Sequence, residues 1–146
     1  MKTCSKSYES LPFAHRQWNH AGHCRLIHGH NWTFEFEFTA TALNENHFVV
    51  DFGKLKWLKE WINVLFDHTC VLSHDDPLIC EFYKVGGNDV WNITSVPDAS
   101  AEGLSQFLFT EVNRMMNKIE DYKNRGVRVI KVIVREDSKN FATYSE

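Results

Sequence analysis

Residues 33–40, Thr-Phe-Glu-Phe-Glu-Phe-Thr-Ala, place Phe34, Phe36 and Phe38 at every second position between Glu35, Glu37 and Thr39. Three aromatic rings at period two fit no face of a helix. On a pleated strand they cover one side and leave the carboxylates on the other. The chain must therefore fold around a half-buried strand whose aromatic side needs a packed layer. The same parity continues upstream through Trp32, His30 and His28, so both histidines share the aromatic side. Two imidazoles on one side of a strand, with a third from a neighbour, supply three nitrogen ligands. A fourth tetrahedral position then stays open, the layout of a catalytic rather than a structural zinc.

Candidates for the third ligand lie just upstream. His15 stands in Phe13-Ala14-His15, and His20 and His23 are rivals in the turn-like stretch Asn19-His20-Ala21-Gly22-His23. A buried, hydrogen-bonded core histidine is the ordinary reading of any one of them. Cys24 ahead of His28-Gly29-His30 argues against packing alone, because a thiol beside a divalent cation has a reason to act as a base or nucleophile. Gly29 falls on the opposite face, where it would let another backbone approach closely.

Downstream, Asp51 is a good N-cap for a helix carrying Leu55, Leu58, Ile62 and Leu65 at helical spacing and ending near Asp67-His68. Residues 73–97 are the least regular, with turn signals at Asp75-Asp76-Pro77 and Gly86-Gly87-Asn88-Asp89 and two short apolar runs, Leu78–Val85 and Val90–Val96, one of which reads as a short strand or an excursion from the core. A second helix starts at Pro97–Glu102, capped by Ser100 or Asp98, and presents Leu104, Phe107, Leu108, Val112, Met115 and Ile119. Val127–Val134 is rich in β-branched residues, and Phe141–Tyr144 follows a turn-like Asp137–Asn140, so both read as strands. The order strand, strand, helix, helix, strand, strand predicts an α+β fold: an antiparallel four-stranded sheet with two helices on one face.

The 146 residues suit a single domain spanning 1–146, with an extended irregular segment near 74–96. A net charge of −3 excludes the basic surface of a nucleic-acid binder. No apolar run approaches a membrane span, and Met1-Lys2-Thr3-Cys4-Ser5 lacks the apolar stretch of a signal peptide, so a cytoplasmic location is expected. Without an export signal, Cys4, Cys70 and Cys80 read as free thiols with no chemical role.

Two further groups are candidates. Asp67 beside His68 can fix the imidazole tautomer as a proton relay, although a histidine at a helix C-terminus is favoured by the dipole alone. Glu136 shares the parity of Ile130, Val132 and Val134, so it either pairs with Arg128 on that face or binds a ligand bearing several donors. Glu102, at a helix start, reads as a surface acid favoured by the dipole.

Taken in order, His15 after Phe-Ala, Cys24-x-x-x-His28-Gly29-His30-Asn31-Trp32, Val49-Val50-Asp51-Phe52-Gly53-Lys54-Leu55-Lys56, Asp67-His68, Ser100-Ala101-Glu102 and Val134-Arg135-Glu136 resemble the 6-pyruvoyl-tetrahydropterin synthase / 6-carboxy-tetrahydropterin synthase family. The resemblance covers most of the chain and thins over 74–96. It implies the tunnelling fold, and homo-oligomers (trimers or dimers of trimers) whose active sites lie between subunits. It also implies Zn2+ on His15, His28 and His30, catalytic roles for Cys24, Asp67 and His68, and a pterin anchor at Glu136. The substrate it implies is 7,8-dihydroneopterin triphosphate. Three residues between Cys24 and His28 are more similar to the carboxy branch, of the queuosine pathway, than to the pyruvoyl branch, which usually has five. The pyruvoyl activity and a non-catalytic pterin-binding module are the alternatives.

Overall fold

The computed structural model describes residues 1–85 and 87–146, without the side chains of residues 87 and 88. The long aromatic strand is present as β2 (His28–Thr39), and it is the hub of the sheet. Its antiparallel partner β1 (Thr3–His15) pairs in register with it, placing Phe13 opposite His30 and His15 opposite His28. A bulge between Tyr8 and Leu11, with Ser10 at φ 57°, keeps Tyr8, Leu11, Phe13 and His15 all on the buried side.

The helix after Asp51 arrives in two pieces. Asp51 accepts the Gly53 amide and caps a 3-10 turn at Phe52–Lys54, and helix α1 (Lys56–Phe66) follows. Its Leu58, Ile62 and Phe66 are fully buried. Phe66 packs edge-on to Phe34 at 5.0 Å and against Phe13 at 5.2 Å. Helix α4 (Ala101–Met116) covers the same side through Leu104, Leu108 and Val112, and Trp61 of α1 stacks on its Phe107. Ser100, not Asp98, caps α4 by accepting the Gly103 amide.

The expected sheet is corrected. Among the described residues six strands form one mixed sheet. Strands β5 (Arg128–Arg135) and β6 (Phe141–Ser145) fall where they are expected and complete the antiparallel half. The additions are β3 (Thr69–Ser73) and β4 (Asn92–Val96), which extend the other edge in parallel. The order across the sheet is β4-β3-β1-β2-β5-β6. Every residue of β3 is buried, so its sequence shows no alternation and gives no period-two signal. Between β3 and β4 lie short helices α2 (Ile79–Lys84) and α3 (Gly87–Val90); of the turn expected at 86–89, Gly86 lies outside the described residues. Helix α5 (Glu120–Arg125) occupies the stretch between the second helix and β5, and Gly126 ends it in the left-handed conformation, φ 61°. The fold class stands as α+β, but the order ββααββ does not.

Candidate metal centre and active-site cleft

The site sits where β1 ends and β2 begins. His15 faces His28 directly across the pair and reaches His30 diagonally, as side chains on one antiparallel face must. The ligand nitrogens of His15, His28 and His30 lie within 4.8 Å of one another. Trp32, fully buried, stands beneath them, with its ring perpendicular to His15 and His30 at 4.8 and 5.1 Å. Its indole N–H is spent on the Phe13 carbonyl at 3.1 Å, so it does not compete for the imidazoles.

The hydrogen bonds set the tautomers. His15 Nδ1 lies 2.7 Å from the Ala99 carbonyl and His28 Nδ1 lies 2.8 Å from the Leu26 carbonyl. A carbonyl only accepts, so each Nδ1 carries the proton and each Nε2 keeps its lone pair. Yet His15 Nε2 and His28 Nε2 are 3.1 Å apart, and His30 Nε2 is buried with no partner. Lone pairs facing one another at that distance repel unless a proton or a cation lies between them. A proton is disfavoured: burial pushes the His15 imidazole down to about 4, assisted by His28 and His30 and opposed by the Ala99 carbonyl. The donor set therefore fits a divalent cation of the zinc type: three converging imidazoles, His15 and His28 held by carbonyls behind them and His30 with a buried, unpartnered Nε2.

Around these rings opens a cleft of about 530 Å³, lined also by Gln17, His20, His23, Cys24, Glu102 and Glu136. Cys24 lies on a short 3-10 turn, His23–Arg25, in the β1–β2 connection. His20 and His23 line the cleft but are outside the three-nitrogen cluster, and His20 Nδ1 accepts the Gly22 amide. Glu136 reaches within 3.8 Å of His15 Nε2. Its expected pairing with Arg128 is not made. The β2–β5 register shifts at Glu37/Phe38, Val129, Val132 and Val134 are all buried, and Arg128 turns to solvent. A Cβ at Gly29 would meet only the Phe13 carbonyl at 3.7 Å, so no close approach within the chain demands glycine there.

Asp67 and His68 form the expected pair, His68 Nδ1 donating to Asp67 at 2.6 Å. They do not line the cleft, and the His68 side chain is 82% exposed. Glu102, read from the sequence as a surface acid, does line it, because Ser100 caps α4 and turns the helix start toward the histidines. The Ala99 and Leu26 carbonyls carry no sequence signal. Cys4, Cys24, Cys70 and Cys80 are all free thiols.

A sheet whose central hairpin gathers three imidazoles, with a thiol and carboxylates in the same cleft, defines an α+β protein with a candidate cation site. The family model of 6-pyruvoyl tetrahydropterin synthase matches residues 3–146, and the chain belongs to that family. A protein of Rickettsia typhi named 6-carboxy-5,6,7,8-tetrahydropterin synthase is 38% identical over 100 residues, 67% of this chain and 71% of its own length. An uncharacterized protein of Wolinella succinogenes superposes with a TM-score of 0.80 at 20% identity, over 99% of this chain and 98% of its own. The Plasmodium falciparum 6-pyruvoyl tetrahydropterin synthase superposes at 0.67 and 18% identity, over 99% and 98%. No helix among the described residues is long and apolar enough to cross a membrane.

Proposed function

We propose that this chain is a zinc-dependent 6-carboxy-5,6,7,8-tetrahydropterin synthase, a lyase that converts 7,8-dihydroneopterin triphosphate to 6-carboxy-tetrahydropterin with loss of triphosphate and acetaldehyde. The observation that carries the reading is the convergence of three imidazole nitrogens, two of them held as Nε2 lone pairs by carbonyls behind the ring, in the cleft that also holds Cys24. The spacing of three residues between Cys24 and His28, and relatives bearing the carboxy-type name, support that branch. The matching pathway is queuosine or 7-deazapurine biosynthesis, in the cytoplasm.

His15, His28 and His30 would hold the zinc, whose Lewis acidity would serve the hydroxyl-bearing side chain of the substrate. Glu136, an acceptor at the cleft wall, would anchor the N–H edge of the pterin ring. Cys24 would take the proton that starts tautomerisation. Asp67-His68 would act as the second relay, carried to the cleft of a neighbouring subunit in a homo-oligomer, a trimer or a dimer of trimers. Its exposure in the single chain supports that assignment.

Incubation of zinc-loaded protein with dihydroneopterin triphosphate, followed by mass detection, tests the reading. 6-Carboxy-tetrahydropterin with acetaldehyde upholds it. 6-Pyruvoyl-tetrahydropterin as product transfers the chain to the other activity, and binding without turnover makes it a pterin-binding module. Cys24→Ala is expected to abolish turnover and keep zinc; unchanged turnover removes Cys24 from the mechanism.

A further inference from the structure

The turn that carries Cys24 buries none of its own residues, so something else must fix the sulfur in the cleft. Its carbonyls show what does. The Cys24 carbonyl accepts the Gln17 amide at 2.9 Å, and the next one, of Arg25, accepts Arg16 Nη1 at 3.2 Å. Arg16 is itself held as a fork: its Nε and Nη2 donate to the two oxygens of Asp76, each at 2.6 Å. Asp76 is almost wholly buried and also accepts the Leu78 amide at 2.9 Å. The Phe82 ring of α2 lies 5.3 Å from the guanidinium, and Trp91 packs edge-on to Phe82 and donates to its carbonyl. Trp18, in the same connection, donates to Asp75 at 3.1 Å. Gln17 and Arg16 hold the turn from within the same connection, but the groups that hold Arg16 and Trp18 in turn come from residues 75–91, the stretch where the resemblance to the family thins.

We infer that the excursion between β3 and β4 is a clamp for the Cys24 turn, with Asp76 and Arg16 as positioning residues acting through the Arg25 carbonyl. A bidentate Arg–carboxylate pair fixes direction as well as distance, which a lysine does not. His15 and His30 keep partners outside the clamped turn, the Ala99 carbonyl and the β1–β2 ladder, while His28 Nδ1 leans on the Leu26 carbonyl, one residue beyond Arg25. Two of the three imidazoles are thereby independent of the clamp, and a loosened clamp is expected to cost the proton transfer before it costs the metal. A displacement of about 1 Å at a reacting group lowers the rate about 100-fold.

This inference rests on the reading of Cys24 as the proton-moving group, so its test needs one measure free of turnover. Asp76→Asn keeps the volume and the acceptor for Leu78 but loses the charge; Arg16→Lys keeps the charge but loses the fork. Alkylation of Cys24 by iodoacetamide, followed on its own peptide by mass spectrometry, reports the turn directly. In both variants zinc content is expected to stay at the wild-type level while Cys24 alkylates several-fold faster. The kcat is expected to fall by about 100-fold with KM changed by less than about threefold. If Asp76→Asn does not fold, Arg16→Lys decides alone. Alkylation and kcat at wild-type values overturn the clamp, and so does loss of zinc in step with turnover. A wild-type protein that does not turn over the substrate ends the functional reading instead, and the alkylation rates then decide the clamp by themselves.

Discussion

Removing the cation should lower the melting temperature by an amount that can be worked out beforehand. A ligand that binds only the folded state adds about 4.1 kcal/mol when its free concentration is about a thousand times its dissociation constant. The folded site is preformed: two Nδ1 protons are committed to carbonyls and three imidazole nitrogens converge, an arrangement the unfolded chain lacks. Unfolding entropy near 2.1 cal/mol/K per residue gives roughly 0.3 kcal/mol/K for 146 residues. The quotient is a shift of about 13 °C between zinc-saturated and chelated protein. Differential scanning calorimetry against a zinc series measures it, and the shift should grow with the logarithm of free zinc. His28→Ala is the control. His28 is only partly buried, so its loss should cost the apo protein little, while taking one of three ligands and most of the shift. A wild-type shift below about 2 °C at that excess, or a full shift surviving in His28→Ala, would refute the tautomer argument.

Four further outcomes are expected. Phe66→Ala removes a fully buried ring wedged between Phe13 and Phe34 and should cost about 3–5 kcal/mol by urea denaturation, with unchanged zinc stoichiometry. Gly103→Ala would set a Cβ 2.4 Å from the Asp98 Cβ and 2.6 Å from its carbonyl oxygen, so the start of α4 must shift, at about 1–3 kcal/mol by the same assay. Burial raises the Asp76 carboxyl, but the Arg16 hydrogen bonds and the Leu78 amide outweigh it and leave it below its ordinary 3.8; the pair's contribution is therefore present above that value and lost as pH falls below it, and the stability gap between wild type and Asp76→Asn should be flat near neutrality and close in acid. Cys24→Ala and His68→Ala, each inactive alone, should recover about a quarter of wild-type activity when unfolded together in equal amounts and reassembled, since half the subunits carry Cys24 and half of their neighbours carry His68; no recovery would put both groups in one chain.

The parts of the fold that could be read from the sequence are those with one wet face. Phe34, Phe36 and Phe38 alternate with Glu35 and Glu37 because β2 is polar on its far side, where Lys131 pairs with Glu37. Thr69–Ser73 was illegible for the opposite reason: with every residue buried, a strand has no period to show. Its parallel partner Asn92–Val96 lies in the second of the two apolar runs, 90–96, which reads equally as a short strand or an excursion because turn residues surround it. Glu136 shows how a local irregularity defeats counting. Parity through β5 put it with Arg128, but the shift beside Val129 moved Arg128 to solvent and left Glu136 facing His15. The histidine cluster, by contrast, was half legible: the two-residue repeat gave His28 and His30, while the choice of His15 over His20 and His23 waited for the β1–β2 pairing.

Asp67-His68 was visible as a pair, yet its partner was not, and the backbone explains why. His68 sits at φ 55°, a conformation that costs a residue with a Cβ about 1–3 kcal/mol, directly after the end of α1. Its amide donates to the Pro12 carbonyl at 2.8 Å, which pins the main chain three residues before His15 on β1. At about 3.3 Å per strand residue, that sets the pair roughly 10 Å along the sheet from the histidine cluster, with both side chains directed to solvent. An imidazole oriented by a carboxylate and held on a strained, anchored backbone thus stands apart from the histidine cluster of its own chain. The cleft's own lining holds the three clustered imidazoles, the Cys24 thiol, His20, His23 and the carboxylates of Glu102, Glu136 and Asp137. The proposed Asp67-His68 relay therefore needs a second copy to bring it to a cleft; without one, His20, His23 or a lining carboxylate must move that proton, and the mixed Cys24→Ala and His68→Ala reassembly separates the two.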